Sequence, residues 1–190
     1  AATATHTKLL GSHPEGLLKT EKRKIIARHR SYHGVTVAAA SLTGLPVTQN
    51  HFDLPVDALG ILRTDHPHYY RGKEGGESEN QFVDRVVSNL ENLIISENPE
   101  TIAAFIAEPI TGASGVIVPP EGYYEKVQSG LSKYNIMFWA DEVITGFGRT
   151  GSDFGCTTMN IHDPDRMTFA KQLSSAYRPI SASAIRRDVY

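Results

Sequence analysis

The sequence predicts an α/β fold built on a mainly parallel sheet. Two observations carry this. Short apolar runs alternate along the chain with helical or loop stretches, and those runs are apolar at nearly every position. Strands buried on both faces read this way, and parallel sheets bury both faces beneath their crossover helices. A third observation is length: 190 residues suffice for one well-cored domain and are short for two, so residues 1–190 are read as a single domain.

Taken in order, Ala1 to Leu10 has mid-helix composition without a cap, and Gly11 to Lys19 collects the turn formers Gly11, Ser12, Pro14 and Gly16. Lys22 to Arg30 reads as a basic-flanked strand around Ile25-Ile26-Ala27, and the small-residue run Val35 to Ser41 as a short packed helix. Thr43 to Asp57, with Gly44, Pro46 and Pro55, is a loop, and Ala58 to Arg63 a short strand ended by Asp65-His66-Pro67-His68. Gly72 to Glu79 is a polar loop. Ser78 to Glu97 has Phe82, Val83, Val86, Val87, Leu90, Leu93 and Ile94 at helical spacing. Thr101 to Ile110 is a buried strand ending in Glu108-Pro109, and Thr111 to Gly115 is a turn. Pro119-Pro120-Glu121 starts a helix through Tyr134, with proline in the first turn where its missing donor does no harm. Ile136 to Ala140 is a strand that delivers Asp141 and Glu142, Met167 to Ala170 one that delivers Lys171, and Pro179 to Ile185 a last strand.

Composition excludes several classes of function. A net charge of −2 gives no electrostatic case for nucleic acid or an anionic membrane. No apolar stretch approaches the roughly 20 residues that span a bilayer, and no basic-then-apolar leader opens the chain. One cysteine, Cys156, excludes an internal disulfide framework and any multi-cysteine metal site, and reads as a small buried side chain. A reducing compartment, the cytoplasm or an organelle matrix, fits that usage.

Glu108, Asp141 and Lys171 therefore stand just past the ends of three apolar strands. In an open parallel sheet, ligands bind just outside those ends. Each residue alone has a plain explanation: a carboxylate after a strand is most often a cap or a solvated turn residue, and a lone lysine is usually solvated. Yet Lys171 lies in the uncharged stretch Phe169-Ala170-Lys171-Gln172-Leu173-Ser174-Ser175. Desolvation or a covalent partner accounts for an amine there, and buried lysines serve as Schiff-base nucleophiles. Pyridoxal phosphate (PLP) chemistry needs this inventory: a lysine for the aldehyde and an aspartate against the pyridine nitrogen. A unit pair at 4 Å is worth roughly 4 kcal/mol at an effective dielectric of 20. That raises a pyridinium pKa by roughly three units.

The rival is the run Gly146-Phe147-Gly148-Arg149-Thr150-Gly151, which matches the dinucleotide fingerprint after a strand. That fingerprint has to open a helix, whereas Ser152-Asp153-Phe154-Gly155 is turn-like. There is no P-loop and no His-Glu-x-x-His pattern, and Cys156 with His162 is too sparse for a metal.

These motifs carry a family resemblance. Ser31-Tyr32-His33-Gly34, Ala39 to Pro46, Phe105-Ile106-Ala107-Glu108-Pro109, Ala140 to Gly151 and Ala170 to Ser175 resemble the class III PLP-dependent aminotransferases of fold type I. The branch is that of ω-amino acid:pyruvate and plant-type γ-aminobutyrate transaminases. The resemblance implies the three-layer large domain of that fold, in part, and a homodimer. It implies Lys171 as the Schiff-base lysine and proton carrier, and Asp141 as the pyridinium partner. Val143 would press on one ring face and Tyr32 cover the other. Glu108 would sit near the ring and support the Asp141 region, and His33 would line the cofactor or simply pack. Gln172 and Ala176 depart from the Lys-Gly-Leu pattern of many relatives. The family's chain is more than twice as long, with a phosphate loop upstream of Ala1 and a small domain beyond Tyr190. The chain therefore resembles the central part of the large domain. Two readings of function follow: amino transfer from an ω-amino acid or amine to pyruvate or a similar keto acid, or a non-catalytic remnant. A decarboxylase or racemase of the same fold shares the Asp and Lys, but the motifs favour the aminotransferase.

Overall fold

A computed structural model describes residues 21–189, so the readings on Ala1 to Leu10 and Gly11 to Lys19 lie outside the described residues. Among the described residues six strands form one sheet: β1 (Lys24–Arg28), β2 (Ile61–Thr64), β3 (Ile102–Ala107), β4 (Met137–Asp141), β5 (Arg166–Phe169) and β6 (Ala182–Ile185). Their spatial order is β2-β1-β3-β4-β5-β6. Neighbours run parallel from β2 across to β5, with Phe105 beside Phe138 and Asp141 beside Thr168. Only the edge pair β5/β6 is antiparallel, setting Phe169 beside Ala182. β3 is buried at every residue, which is why its sequence shows no alternation.

The helices are α1 (Val37–Leu42), α2 (Tyr69–Gly72), α3 (Glu79–Ser96), α4 (Tyr123–Lys133) and α5 (Gly155–Thr158). α3 follows its periodicity, burying Phe82, Val83, Val86, Leu90 and Ile94. Ser78 caps it by accepting from the Gln81 N–H, and the Gln81 side chain returns to the Ser78 N–H. α4 adds Tyr123, Tyr124, Val127 and Leu131, and the two helices cover one face of the sheet over Ile26, Phe105 and Phe138. The other face carries a smaller cluster of Ile25, Ala27, Ile106 and Trp139, met by Leu42 of α1. Because side chains alternate along β4, Phe138 and Ala140 enter the large core while Trp139 and Asp141 point to the less covered face.

Several boundaries shift from those expected. α4 starts at Tyr123 and not at Pro119, because Gly122 stands left-handed at φ 78° immediately before it. β2 starts at Ile61 and not at Ala58, since Asp57–Leu59 closes a tight turn that ends on Gly60 at φ 60°. No described helix is long and apolar enough to cross a membrane.

Candidate active site

Since β3, β4 and β5 run parallel, Glu108, Asp141 and Lys171 leave the sheet at the same edge. Asp141 is 5% exposed. Its Oδ2 lies 2.7 Å from His33 Nδ1. Its Oδ1 accepts from the Val143 N–H at 3.2 Å and from the Thr168 hydroxyl at 3.3 Å. The Thr168 oxygen in turn accepts Trp139 Nε1–H at 3.3 Å, so its own proton is free to point at Asp141. Among the described residues, His33 is the one ion-pairing neighbour of this carboxylate.

His33 is fixed from behind. Its backbone N–H donates to Thr43 Oγ1 at 2.9 Å, and its ring Nε2 is buried without a partner among the described residues. The neighbouring Gly44 N–H donates to the Ser31 carbonyl at 2.8 Å, and the Arg30 N–H to the Gly44 carbonyl at 2.8 Å. A Cβ on Gly44 would stand 2.3 Å from the Arg28 carbonyl oxygen, so this close approach of two chain segments admits only glycine.

The two remaining carboxylates brace the backbone. Glu108 is buried and accepts the Tyr32 and Gly112 N–H groups, each at 2.9 Å. Its carbonyl takes Arg28 Nη2 at 2.7 Å and the Tyr124 hydroxyl at 2.6 Å. It therefore ties the Tyr32 segment to the end of β3 and has no bond to Asp141. Glu142 is buried and accepts from Thr145, from the Gly155 N–H at 3.0 Å and from the Cys156 N–H at 2.7 Å, which caps α5. Cys156 is buried beside it. Burial first, and then the Glu142 charge, push its thiol up, as suits a structural cysteine.

A cleft of about 280 Å³ opens on the less covered face, lined at the strand ends by His33, Asp141, Val143 and Ala170 and floored by Ile106 and Trp139. At its far side the Arg166 guanidinium stacks 4.0 Å over the Trp139 ring, with its Nε–H on Ser183 Oγ at 3.0 Å. The structure thus brings His33, Asp141 and Val143 together. Lys171 follows cleft-lining Ala170 directly but is itself exposed, contrary to the desolvated lysine its neighbours suggested. The reason is local: β5 ends at Phe169, and the chain turns off the sheet with Lys171 at φ 46°. An L-residue held left-handed costs roughly 1–2 kcal/mol, and such strain gathers at functional sites. Tyr32 is half-buried and lies outside the cleft lining.

Trp139, Thr168 and Thr43 were not among the expected site residues. Thr43 stood within a quoted motif. Thr168 carries no local signal, because only the β4/β5 register sets it opposite Asp141. The Gly146–Gly151 run is a turn, with Gly148 at φ 86° and Gly151 at φ 90°, and only the one-turn α5 follows it.

These residues fit PLP. A buried carboxylate that accepts from the Val143 N–H and the Thr168 hydroxyl, with no lysine or arginine paired to it among the described residues, suits a cationic aromatic ring. The cleft has room for a six-membered ring beside Val143, and an amine stands one residue beyond its lining.

A mainly parallel sheet of this order, with Asp141 and Lys171 at adjacent strand ends, is part of a fold-type-I α/β transferase. The family model "Aminotransferase class-III" matches residues 1–190, and the chain belongs to that family. It is 53% identical over 188 residues to gamma aminobutyrate transaminase 3, chloroplastic, of Solanum lycopersicum, covering 99% of this chain and 36% of that protein. It is 51% identical to gamma-aminobutyrate transaminase 1, mitochondrial, of Oryza sativa subsp. japonica, again over 99% of this chain and 36% of the relative. Among solved structures, the omega transaminase of Pseudomonas jessenii in complex with PMP superposes with a TM-score of 0.92 at 52% identity, covering 99% of this chain and 41% of that one. The chain thus spans little more than a third of the length of these curated relatives.

Proposed function

We propose that the chain serves PLP-dependent transfer of an amino group from an ω-amino acid or amine to pyruvate or a similar keto acid. The relatives' names, γ-aminobutyrate transaminase and omega transaminase, support that substrate class. The observation that carries the reading is Asp141, a buried carboxylate at a strand end, held by neutral donors and facing a ring-sized cleft. PLP, when bound, supplies the aldehyde and the electron sink. Asp141 would keep a proton on the ring nitrogen through its charge, and Val143 would pack against one ring face. Tyr32, which lies outside the cleft lining, would have to turn toward the ring to cover its other face. Lys171 would hold the cofactor through its amine and, once that amine is freed by the incoming substrate amine, would carry the proton to and from the substrate carbon that bears the amino group. Glu108 holds the Tyr32 segment in place. With this reading go a homodimer and a reducing compartment, cytoplasm or organelle matrix.

The test is spectroscopic. Titrating the chain with PLP should give a visible absorption band that Lys171→Ala abolishes. A parent chain without such a band would sink the cofactor reading. The second reading, a chain that binds cofactor or partners without turnover, is favoured by the exposure of Lys171. It forecasts the band without amino transfer when an ω-amino acid and pyruvate are added.

A further inference from the structure

We infer that His33 is a positioning residue for Asp141, held as the neutral imidazole with its proton on Nδ1. The inference rests on the cofactor role proposed for Asp141. Both side chains are buried, 2% and 6% exposed, with Nδ1 and Oδ2 2.7 Å apart. An ionised carboxylate only accepts, so the proton of that bond belongs to Nδ1. The opposite tautomer would set two lone pairs against each other at the same distance. A doubly protonated ring would bury an N–H at Nε2 that has no acceptor among the described residues. The neutral Nδ1–H form leaves only an unshared lone pair at Nε2, which costs less than a buried donor without an acceptor.

This state has a consequence at the cleft. Asp141 receives three donors, His33 Nδ1–H, the Val143 N–H and the Thr168 hydroxyl, and none carries a charge. One oxygen is fixed by His33 and the other by Val143 and Thr168, so the carboxylate cannot rotate. Its negative charge stays whole for a cationic ring instead of being spent on an imidazolium. His33 is itself fixed through its backbone by Thr43. An asparagine side chain carries its amide nitrogen where the imidazole carries Nδ1, so it can replace the donor without a charge.

The experiment combines nitrogen NMR of histidine-labelled chain with PLP titration of the parent, His33→Phe and His33→Asn. We expect one histidine locked as the Nδ1–H tautomer, its signal absent from both variants. His33→Phe should weaken PLP binding about 10- to 100-fold, the range of one hydrogen bond to a charged group. His33→Asn should restore most of that loss, and circular dichroism checks that each variant is folded. An imidazolium or Nε2–H signal for His33 overturns the inference, as does a folded His33→Phe that binds PLP like the parent. If the parent takes up no PLP, the cofactor reading fails. The nitrogen spectrum then decides the His33 state by itself, with Nδ1–H supporting the pair and any other form refuting it.

Discussion

His66 follows β2 by two residues, with its ring edge-on to that of His68 at a centroid distance of 5.4 Å. Burial, and then the positive charge of Arg28, push its imidazole down to about 4. In the unfolded chain an imidazole titrates near about 6.5. Between those values the unfolded state binds more protons, so the His66 contribution is fully present above about 6.5 and declines as pH falls toward 4. Denaturant midpoints measured across that window should fall with pH, and His66→Gln should flatten the slope. An unchanged slope in the variant would remove His66 as the cause. At this scale the sequence disclosed Asp141 and His33 through their motifs, because short segments fix where a strand ends. It did not disclose the Thr168 bond to Asp141, which depends on the register of two strands, nor the exposure of Lys171, which follows from a positive φ past the end of β5.

Within α3, Leu90 is 4% exposed and Ile95 is 56% exposed. Leu90→Ala removes buried atoms beneath the sheet and should cost about 2–5 kcal/mol. Ile95→Ala should stay within about 0.5 kcal/mol, as surface changes do. Urea unfolding of the two variants measures the difference, and equal losses would mean that α3 does not pack by the face described. α3 was legible because its apolar residues recur at helical spacing, the face that the structure buries. The start of α4 was not, because the left-handed Gly122 delays a helix that the prolines at 119 and 120 seemed to open. The direction of β6 was also hidden, since a short exposed strand has no composition that tells parallel from antiparallel.

Across the whole molecule, two long helices seal one face of the sheet, and the other face keeps the cleft into which Asp141 points. The mainly parallel α/β architecture was legible because a strand such as β3, buried at every position, betrays itself as an unbroken apolar run. The cleft was not, since it is the space between β4, β5 and α1, and no single segment encodes it. The proposed function sets PLP between Asp141 and Lys171. Its most direct test is to reduce a mixture of the chain and PLP with borohydride and to locate the label by peptide mass mapping. We expect the label on Lys171 in preference to exposed lysines such as Lys73 and Lys126, with uptake weakened by Asp141→Asn. Label spread evenly over the exposed lysines, with no preference for Lys171, would contradict the site.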